Sequence, residues 1–393
     1  IVINNLTIDG TKKANKILEV RNNTSNTTPT NFIANELRVD NCKRLNTFSG
    51  GEGILLIGAF EDVTFNGGFV RDCELPTGQG SPGNIGIGGI TITWYSTTSY
   101  VKRVTLNGLL IEKVFSSDLS YQSDQDGLKY FVPDITGGTS GKVISNLVVE
   151  GGSRFVNCYG RSIKTQIRNT VVRDSNFERS EGLTSGLGNG EIDVQSGSGV
   201  IDACAFDYSN GFEPETVAGI GGASGRNNGA SVTNCEVTLD SSTTLTNFFQ
   251  PFPNAVVLPW SRIEVQGNRI FGEVERFVNF LTNAVKTHIT VSDNWVEEIG
   301  VGPTTERALV YVGASGPGPH YGYVNIVNNV YIGSNTAYLA RHQIPSIGMN
   351  ASYSGYGNFG FVNEFNAEPN DADPLKNIAL PAKITGFEDI RGK

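Results

Sequence analysis

A short apolar–polar pattern recurs along this 393-residue chain and constrains its fold more than any other feature. Two apolar residues stand two positions apart, three mostly small or polar residues and one further residue follow, and an apolar residue closes the motif, as in VTLNGLLI at 104–111. Repeats at intervals of about 20–50 residues are typical of solenoids and stacked arrays. Anchored on its second apolar residue, the motif recurs at Ile8, Val39, Phe65, Leu106, Val149, Val172, Ile201, Val232, Val265, Val291 and Ile326.

A second strand-like segment accompanies most copies of this motif, such as GGITITWY at 88–95 and GEIDVQS at 190–196. Each period therefore holds about three short strands separated by turns, which is one coil of a solenoid whose coils stack their strands into parallel sheets. A chance series of β-sandwich strands would lack this fixed internal offset. The 48 glycines agree with many turns, and no long apolar stripe at helical spacing is present.

The turn position three residues after an anchor is often Cys or Asn. Stacked Asn side chains can hydrogen-bond along a solenoid, and stacked Cys side chains act as small buried hydrophobes. We therefore predict a ladder along the coils at Cys42, Cys204, Cys235, Asn268, Asn294 and Asn329.

Composition excludes several classes of function. The net charge of −9 argues against a nucleic-acid partner, and no apolar run approaches the roughly 20 residues of a membrane span. Five cysteines without a CxxC pair give neither a zinc nor a redox motif, and we expect reduced thiols. The three histidines, at 288, 320 and 342, show no metal spacing, so we expect no metal and no other cofactor.

The periodic turns, the Asn and Cys positions and the glycine-led strands resemble right-handed parallel β-helix proteins over roughly residues 1–335. This resemblance implies an all-β solenoid of about eleven coils that carries a glycan groove, with residues 336–393 as a C-terminal cap that also supplies trimer contacts. Pectinases, polysaccharide lyases and phage tailspikes share such a fold, which therefore does not define function.

Acidic charge, a polar surface, the lack of a visible secretion signal and a start inside strand-like sequence most resemble the β-helix part of a bacteriophage tailspike. The resemblance implies a homotrimer in the virion that is joined to the rest of the phage tail through a missing N-terminal part. Its partner would be a bacterial capsular polysaccharide or exopolysaccharide, which such proteins bind and usually cut during host recognition. Insertion into a membrane is not expected.

Candidate catalytic residues lie in NGEIDVQSG at 189–197, where Glu191, Asp193 and Gln195 alternate with Ile192 and Val194. Successive side chains of a strand point to opposite faces, so both carboxylates are expected together in solvent. Paired carboxylates suit glycoside hydrolysis, in which one donates a proton to the leaving oxygen and the other activates water or attacks the sugar.

Alignment of the glycine-led strands predicts what lies beside this segment. Inward residues of four strands align at Ile90, Leu128, Ile163 and Ile192. The residues that follow them then form one outward column at Thr91, Lys129, Lys164 and Asp193. A lysine beside Asp193 would keep one acid ionised, while crowding by a second carboxylate would raise the pKa of its partner. The alternative is that Lys164 and Asp193 form only a surface ion pair, which contributes little to stability.

Three further acids, Asp126, Glu178 and Glu181, are expected on flanking loops and are alternatives for either member of the pair. The longest spacings between anchors, 41 and 43 residues, indicate loops inserted around positions 72–88 and 114–125. Aromatic and acidic residues concentrate there and suit sugar binding, although they can equally seal loop cores. These residues are Trp94, Tyr95, Tyr100, Tyr121, Asp118 and Asp124.

Two rival functions remain open from the sequence. A polysaccharide lyase needs a base beside the C5 proton of a uronate and a cation to neutralise its carboxylate, and Lys164, Arg161, Lys129 and Tyr121 are candidates. A calcium-dependent lyase is poorly matched, since Asp124–Gly127 is only a fragment of a calcium loop. The GHG motif of polygalacturonases and the GxSxG motif of esterases are absent. A non-catalytic glycan-binding adhesin is the other rival.

Overall fold

The computed structural model describes most of the chain as a stack of parallel coils. The described residues are 1–22, 29–43, 51–76, 87–96, 98–117, 125–132, 145–181, 190–220, 229–251, 261–282, 287–300, 308–314, 320–335, 337–342 and 349–367. None of them forms a helix with the length and apolar character needed to cross a membrane.

These residues form thirty strands. The first ten are β1 (Val2–Asn4), β2 (Thr7–Asp9), β3 (Lys16–Asn22), β4 (Thr30–Asp40), β5 (Gly51–Gly58), β6 (Phe60–Leu75), β7 (Ile87–Thr93), β8 (Val101–Asn107), β9 (Leu110–Ser116) and β10 (Gln125–Phe131). The next ten are β11 (Asn146–Glu150), β12 (Arg154–Cys158), β13 (Ile163–Arg173), β14 (Asn176–Glu178), β15 (Gly190–Asp202), β16 (Ala205–Tyr208), β17 (Thr216–Ile220), β18 (Ala230–Thr233), β19 (Glu236–Leu239) and β20 (Thr244–Pro251). The last ten are β21 (Ser261–Gln266), β22 (Arg269–Thr282), β23 (Thr287–Ser292), β24 (Trp295–Ile299), β25 (Ala308–Ala314), β26 (His320–Val327), β27 (Val330–Tyr331), β28 (Tyr338–His342), β29 (Met349–Tyr356) and β30 (Val362–Ala367).

Strands of successive coils pair in parallel and form three sheets, and several long strands turn a corner from one sheet into the next. Sheet 1 contains β1, β4, β6, β8, β11, β13, β15, β18, β21, β23, β26 and β29. Sheet 2 contains β2, β4, β6, β9, β12, β14, β16, β19, β22, β24 and β27. Sheet 3 contains β3, β5, β7, β10, β13, β15, β17, β20, β22, β25, β28 and β30. The predicted all-β parallel β-helix is confirmed.

A residue in the left-handed backbone region begins the corner between sheet 1 and sheet 2 in every described coil, and its φ lies between 47° at Asp174 and 69° at Gly357. In two coils a second left-handed residue follows it, Gly68 or Gly152. Small and polar residues suit this corner, because glycine has no Cβ penalty there and Asn and Asp tolerate the conformation. The corner residues are Asn5, Glu36, Gly67, Gly108, Gly151, Asp174, Ala203, Asn234, Gly267, Asp293, Asn328 and Gly357. They explain the small and polar residues of the sequence motif.

The repeat register differs from the prediction in the first two coils. Nine anchors from Phe65 to Ile326 lie in one column of sheet 1. Ile8 and Val39 instead pair with each other in sheet 2, and their equivalents in sheet 1 are Ile3 and Ala34. The error arose because both strands flanking the corner have the same apolar alternation.

The predicted ladder is confirmed at its C-terminal end. Asn268 donates from Nδ2 to Asn294 Oδ1 at 2.9 Å, and Asn294 does the same to Asn329 Oδ1 at 2.8 Å. The ladder continues to Asn358, which was not predicted, through a 2.9 Å bond from Asn329 Nδ2. Cys235 joins the other end by donating its backbone N–H to Asn268 Oδ1 at 2.9 Å.

Cys42 does not belong to this ladder, because it followed a misplaced anchor. It lies further along sheet 2, beside the backbone of Glu74, whose N–H donates to its carbonyl at 2.9 Å. All five cysteines are buried free thiols, as expected.

Strands beyond residue 335 continue the solenoid. β29 pairs with β26 over its whole length, and β30 pairs with β28. Counted by the strands of sheet 3, the described residues form twelve coils, one more than the eleven anchors. The predicted boundary at 335 therefore does not coincide with the end of the coils, and residues 368–393 lie outside the described part.

Candidate functional site

The predicted outward column exists in sheet 3. Thr91 pairs with Lys129, Lys129 with Lys164, and Lys164 with Asp193, each on the next coil. Such neighbours lie about 4.8 Å apart. The residues expected to face inward are completely buried: Ile90, Leu128, Ile163 and Ile192. The repeated apolar position before each column residue is what sets this register, because a one-residue slip would expose four aliphatic side chains.

Asp193 is the partly accessible carboxylate of this column, with a side chain 19% exposed. Arg161 Nε lies 2.8 Å from its Oδ2 atom. Gln195 donates from Nε2 to the same oxygen at 2.9 Å, and Gln166 donates to Gln195 Oε1 at 2.8 Å. The carboxylate is therefore held on two sides and keeps one edge toward solvent.

Burial raises the pKa of Asp193 above its usual value of 3.8. Arg161, Gln195 and Lys164 act in the opposite direction, and the charge of Asp126 adds to the increase. Removal from water disfavours the charged form, and here this effect exceeds the stabilisation by neighbouring cations. Asp193 is thus suited to holding a proton at higher pH than an ordinary aspartate.

Asp126 lies in strand β10 instead of the flanking loop expected from sequence, and its side chain is completely buried. Its Oδ1 atom accepts the backbone N–H of Arg161 at 3.2 Å, and the guanidinium of the same residue at 3.4 Å. Lys129 Nζ lies 3.6 Å from Oδ2, an oxygen that accepts no hydrogen bond from the described residues. Asp126 therefore positions both cations from beneath the column.

Glu191 does not share the solvent-exposed face of Asp193, so this expectation is wrong. Its side chain is 1% exposed and points into the solenoid, where Arg179 Nε lies 2.6 Å from Oε2. Tyr208 donates to Oε2 at 3.2 Å, and the Ser162 hydroxyl donates to Oε1. Arg179 also donates to the Gly160 carbonyl at 3.0 Å, which satisfies the far side of its guanidinium. The buried charges are thus paired and hydrogen-bonded.

The interior orientation of Glu191 follows from the corner at the start of sheet 3, where two consecutive residues face inward. The directly preceding coil has the buried Ser162 at the equivalent position, and the coil before that has Gly127, on which a Cβ would lie 2.9 Å from Cys158 Sγ. Following coils have Val217 and Phe248 there, both completely buried. Once the register of the strands is known, this column of small and apolar residues identifies the position of Glu191 as interior, which strand alternation alone does not.

The burial of this cluster shifts the pKa values of two partners of Glu191 without changing their usual protonation. Burial and the charge of Glu191 raise the pKa of Tyr208 well above its usual value, so the phenol remains a donor. Burial by itself would lower the pKa of Arg179, but Glu191 and Tyr208 outweigh it and the pKa is raised. Neither residue was singled out from sequence, since only the corner geometry brings them to Glu191.

Two of the alternative acids lie on sheet 2, away from this column. Glu181 follows β14 and pairs with Lys113 of β9 at 3.2 Å, and Glu178 pairs with Arg154 of β12 at 3.4 Å. Both are exposed pairs on strands that stack with each other. The structure therefore does not bring either acid to Asp193.

The predicted aromatic residues divide into three groups. Trp94 and Tyr95 follow β7 and are 43% and 54% exposed, which suits a contact surface. Tyr100 packs against the core. Tyr121, with Asp118 and Asp124, lies outside the described residues. An aromatic residue that sequence analysis missed is Phe131, two residues after Lys129 on the same face, with Lys164 Nζ 5.9 Å from its ring centre.

Within the described ranges, no group of three or more His, Cys, Asp or Glu side chains has the geometry of a metal site. Fold and site together thus define a parallel β-helix with a column of charged side chains on one sheet. The chain matches no family model, no curated protein and no solved structure.

Proposed function

We propose that this chain is the β-helix part of a bacteriophage tailspike that binds and depolymerises a bacterial surface polysaccharide by hydrolysis. The observation that carries this proposal is the state of Asp193. This carboxylate is partly accessible, has a raised pKa and lies on a column that also holds two lysines. A carboxylic acid that keeps its proton can donate it to the leaving oxygen of a glycosidic bond.

Asp126 is the second carboxylate of this proposal and replaces Glu191. It shares the Arg161 guanidinium with Asp193, and two cations lie beside it. An arginine between the two groups separates their environments, which is how chemically identical carboxylates acquire different roles. Because Asp126 is completely buried, we assign it the positioning of Arg161 and Lys129 around the sugar. In this step the glycosidic C–O bond would break as its oxygen takes the proton of Asp193, while water attacks the anomeric carbon from the opposite face of the sugar and releases its proton to solvent.

Trp94 and Tyr95 extend the proposed groove. They follow the strand that carries Thr91, so they lie about 10 Å or more along the same sheet. Flat apolar faces suit the C–H faces of sugar rings, whereas the charged column suits hydroxyl and charged substituents. Homotrimer formation and attachment to a phage tail are part of the same proposal and are supported by the fold-level resemblance.

A polysaccharide lyase is the second candidate, favoured by the cations around Asp193. Arg161, Lys129 and Lys164 together would neutralise the carboxylate of a uronate while its C5 proton is removed. The same cluster therefore fits elimination if the substrate is a uronate polymer.

Digestion of a panel of bacterial capsular polysaccharides and exopolysaccharides tests the proposal. We expect shortened products with ordinary reducing ends. Products that end in an ultraviolet-absorbing unsaturated uronate would identify a lyase instead. Binding without shortening would identify an adhesin, and neither binding nor shortening of any polymer would refute the glycan function.

A further inference from the structure

The contacts that described residues make with the carboxylate of Asp193 fall on one of its two oxygens. Arg161 Nε lies 2.8 Å from Oδ2, and Gln195 Nε2 donates a hydrogen bond to the same atom at 2.9 Å. A cation and an N–H donor directed at one oxygen oppose a proton on that oxygen. When Asp193 is a carboxylic acid, its proton therefore lies on Oδ1.

The side-chain amide of Gln195 has a donor end and an acceptor end, and the hydrogen-bond network decides which end faces Asp193. Because Arg161 keeps Oδ2 unprotonated, Gln195 approaches this oxygen with its Nε2 donor. Its Oε1 atom then points away from Asp193 and accepts a hydrogen bond from Gln166 Nε2 at 2.8 Å. One cation thus sets the direction of two amides.

An irregularity of the strands brings the two glutamines together. The register of β13 and β15 shifts by one residue at this point, so that Gln166 pairs with Ser196 and Gln195 is the extra residue of β15. Such a β-bulge redirects a side chain and is frequent beside functional sites. Gln195 thereby reaches Asp193 within its own strand and Gln166 on the preceding coil.

The charged groups that act on Asp193 come from the coils before it. Burial raises the pKa of Asp193, and Arg161, the Gln195 hydrogen bond and Lys164 act in the opposite direction. Asp126, two coils before Asp193, adds to the increase, and the register partner on the following coil is the uncharged Gly219. Gln195 is the uncharged residue among these that contacts Asp193 directly, so it can be changed without changing the charge of the cluster.

We propose that Gln195, oriented by Gln166, is a positioning residue that keeps the proton of Asp193 on Oδ1 for transfer to the sugar. This inference rests on the proposed function and deepens it, because it names the oxygen from which the acid donates. In that step the Oδ1 proton passes to the glycosidic oxygen and the glycosidic C–O bond breaks. The negative charge left on Asp193 already has Arg161 and the Gln195 amide beside Oδ2.

Gln195→Met is the first test, because methionine has a similar length and donates no hydrogen bond. Loss of this donor should raise the pKa of Asp193 further, so the decline of cleavage at high pH should move to higher pH. Below that decline, kcat should fall by about 10-fold to 10²-fold, because the proton is no longer confined to Oδ1. KM should change little. A lower kcat with an unchanged pH profile would indicate a merely structural effect and contradict the assignment.

Gln266→Met is the matched control. Gln266 Nε2 donates to Asp293 Oδ2 at 3.2 Å at the end of β21, so the substitution removes the same kind of bond from an exposed aspartate on sheet 1. It should leave both kcat and the pH profile at the wild-type values. A change as large as that of Gln195→Met would overturn the inference.

Gln166→Met tests whether Gln166 acts through Gln195. It should lower kcat by a smaller factor than Gln195→Met, and it should cause no further loss when the two substitutions are combined. Losses that multiply in the double variant would show that the two glutamines act separately, which contradicts the proposed orientation by Gln166.

A second measurement requires no polymer. Infrared difference spectra between wild type and Asp193→Asn, recorded over a range of pH, isolate the C=O band of the protonated Asp193. The corresponding spectra with Gln195→Met in both proteins should show this band at higher frequency, because the C=O oxygen has lost a hydrogen bond, and up to higher pH. If no polymer is cleaved, the proposed function fails while these spectra still decide the position of the proton. An identical band in both backgrounds would refute the positioning role even when a polymer is cleaved.

Discussion

Arg161 Nε lies 2.8 Å from Asp193 Oδ2, and this contact crosses from one coil to the next. The same guanidinium reaches back to Asp126 Oδ1 of the preceding coil at 3.4 Å. One arginine, two residues before β13, therefore holds carboxylates from β10 and β15. Because a parallel β-helix places consecutive coils about 4.8 Å apart, side chains distant in sequence become a single charged cluster.

Asp193→Asn should reduce polymer cleavage by about 10²–10⁴-fold, the usual contribution of a general acid. The amide cannot donate the proton of a carboxylic acid, so cleavage slows. It preserves the shape of the side chain, so binding of the polymer should persist. The measurement is the rate of reducing-end formation on the polymer identified from the panel, with binding followed separately.

Asp207→Asn is the control for this variant, because Asp207 is an exposed aspartate on sheet 2. It should cleave at the wild-type rate. Near-normal cleavage by Asp193→Asn would remove this residue from the mechanism.

Cleavage should also decline as pH rises through the raised pKa of Asp193 in the folded protein, because the acid form is then lost.

The raised pKa of Asp193 also makes the stability of the protein depend on pH. A carboxyl group with a raised pKa in the folded state contributes stability below its unfolded pKa of about 3.8, and this contribution is lost as pH rises through the folded value.

The free energies of unfolding of wild type and Asp193→Asn, measured from pH 3 upward, give the check. We expect the wild type to lose stability relative to the variant as pH rises above about 3.8. A difference that stays constant with pH would show that Asp193 has an ordinary pKa.

Glu191→Gln should lower the free energy of unfolding by about 3–5 kcal/mol, because it leaves Arg179 as an uncompensated buried charge. Chemical denaturation measures this loss. Combining it with Arg179→Met should restore a large part of the stability, since removing both charges removes the desolvation cost.

Glu178→Gln is the matched control. Glu178 lies in the same coil as Glu191 but forms an exposed ion pair with Arg154. It should change stability by less than about 1 kcal/mol. Equal effects of the two glutamine variants would refute the interior assignment of Glu191.

Asn294→Ala should destabilise the protein by about 1–3 kcal/mol for each buried group left without a partner. Its Oδ1 atom accepts from both the backbone and the side chain of Asn268, and its Nδ2 atom donates to the Val265 carbonyl at 2.9 Å. Asn35→Ala removes a link from the more exposed Asn4–Asn35 pair and should cost less than about 1 kcal/mol. Denaturation midpoints of the two variants compare the buried ladder with the more exposed pair, and equal losses would show that burial of the ladder is unimportant.

The register of the candidate column could be predicted because local pattern sets it. Ile163 and Ile192 each precede a polar residue, and a strand buried on one face permits only one alignment of such pairs. The Asn ladder was predictable for a similar reason, since Asn268 and Asn294 stand at one fixed offset from their anchors. In the first two coils the same reasoning failed at Ile8, because strands on both sides of the corner share one pattern.

The sequence by itself determined that this chain forms parallel coils, and that Lys164 and Asp193 lie side by side, because both follow from a repeated apolar position. Only the tertiary structure decided that Glu191 faces the interior. The corner of sheet 3 directs two consecutive residues inward, and Arg179 comes to Glu191 from another sheet of the same coil. Strand alternation contains no information about a corner. The carboxylate of Glu191, which alternation places on the face of Asp193, therefore lies instead in a buried ion pair with Arg179.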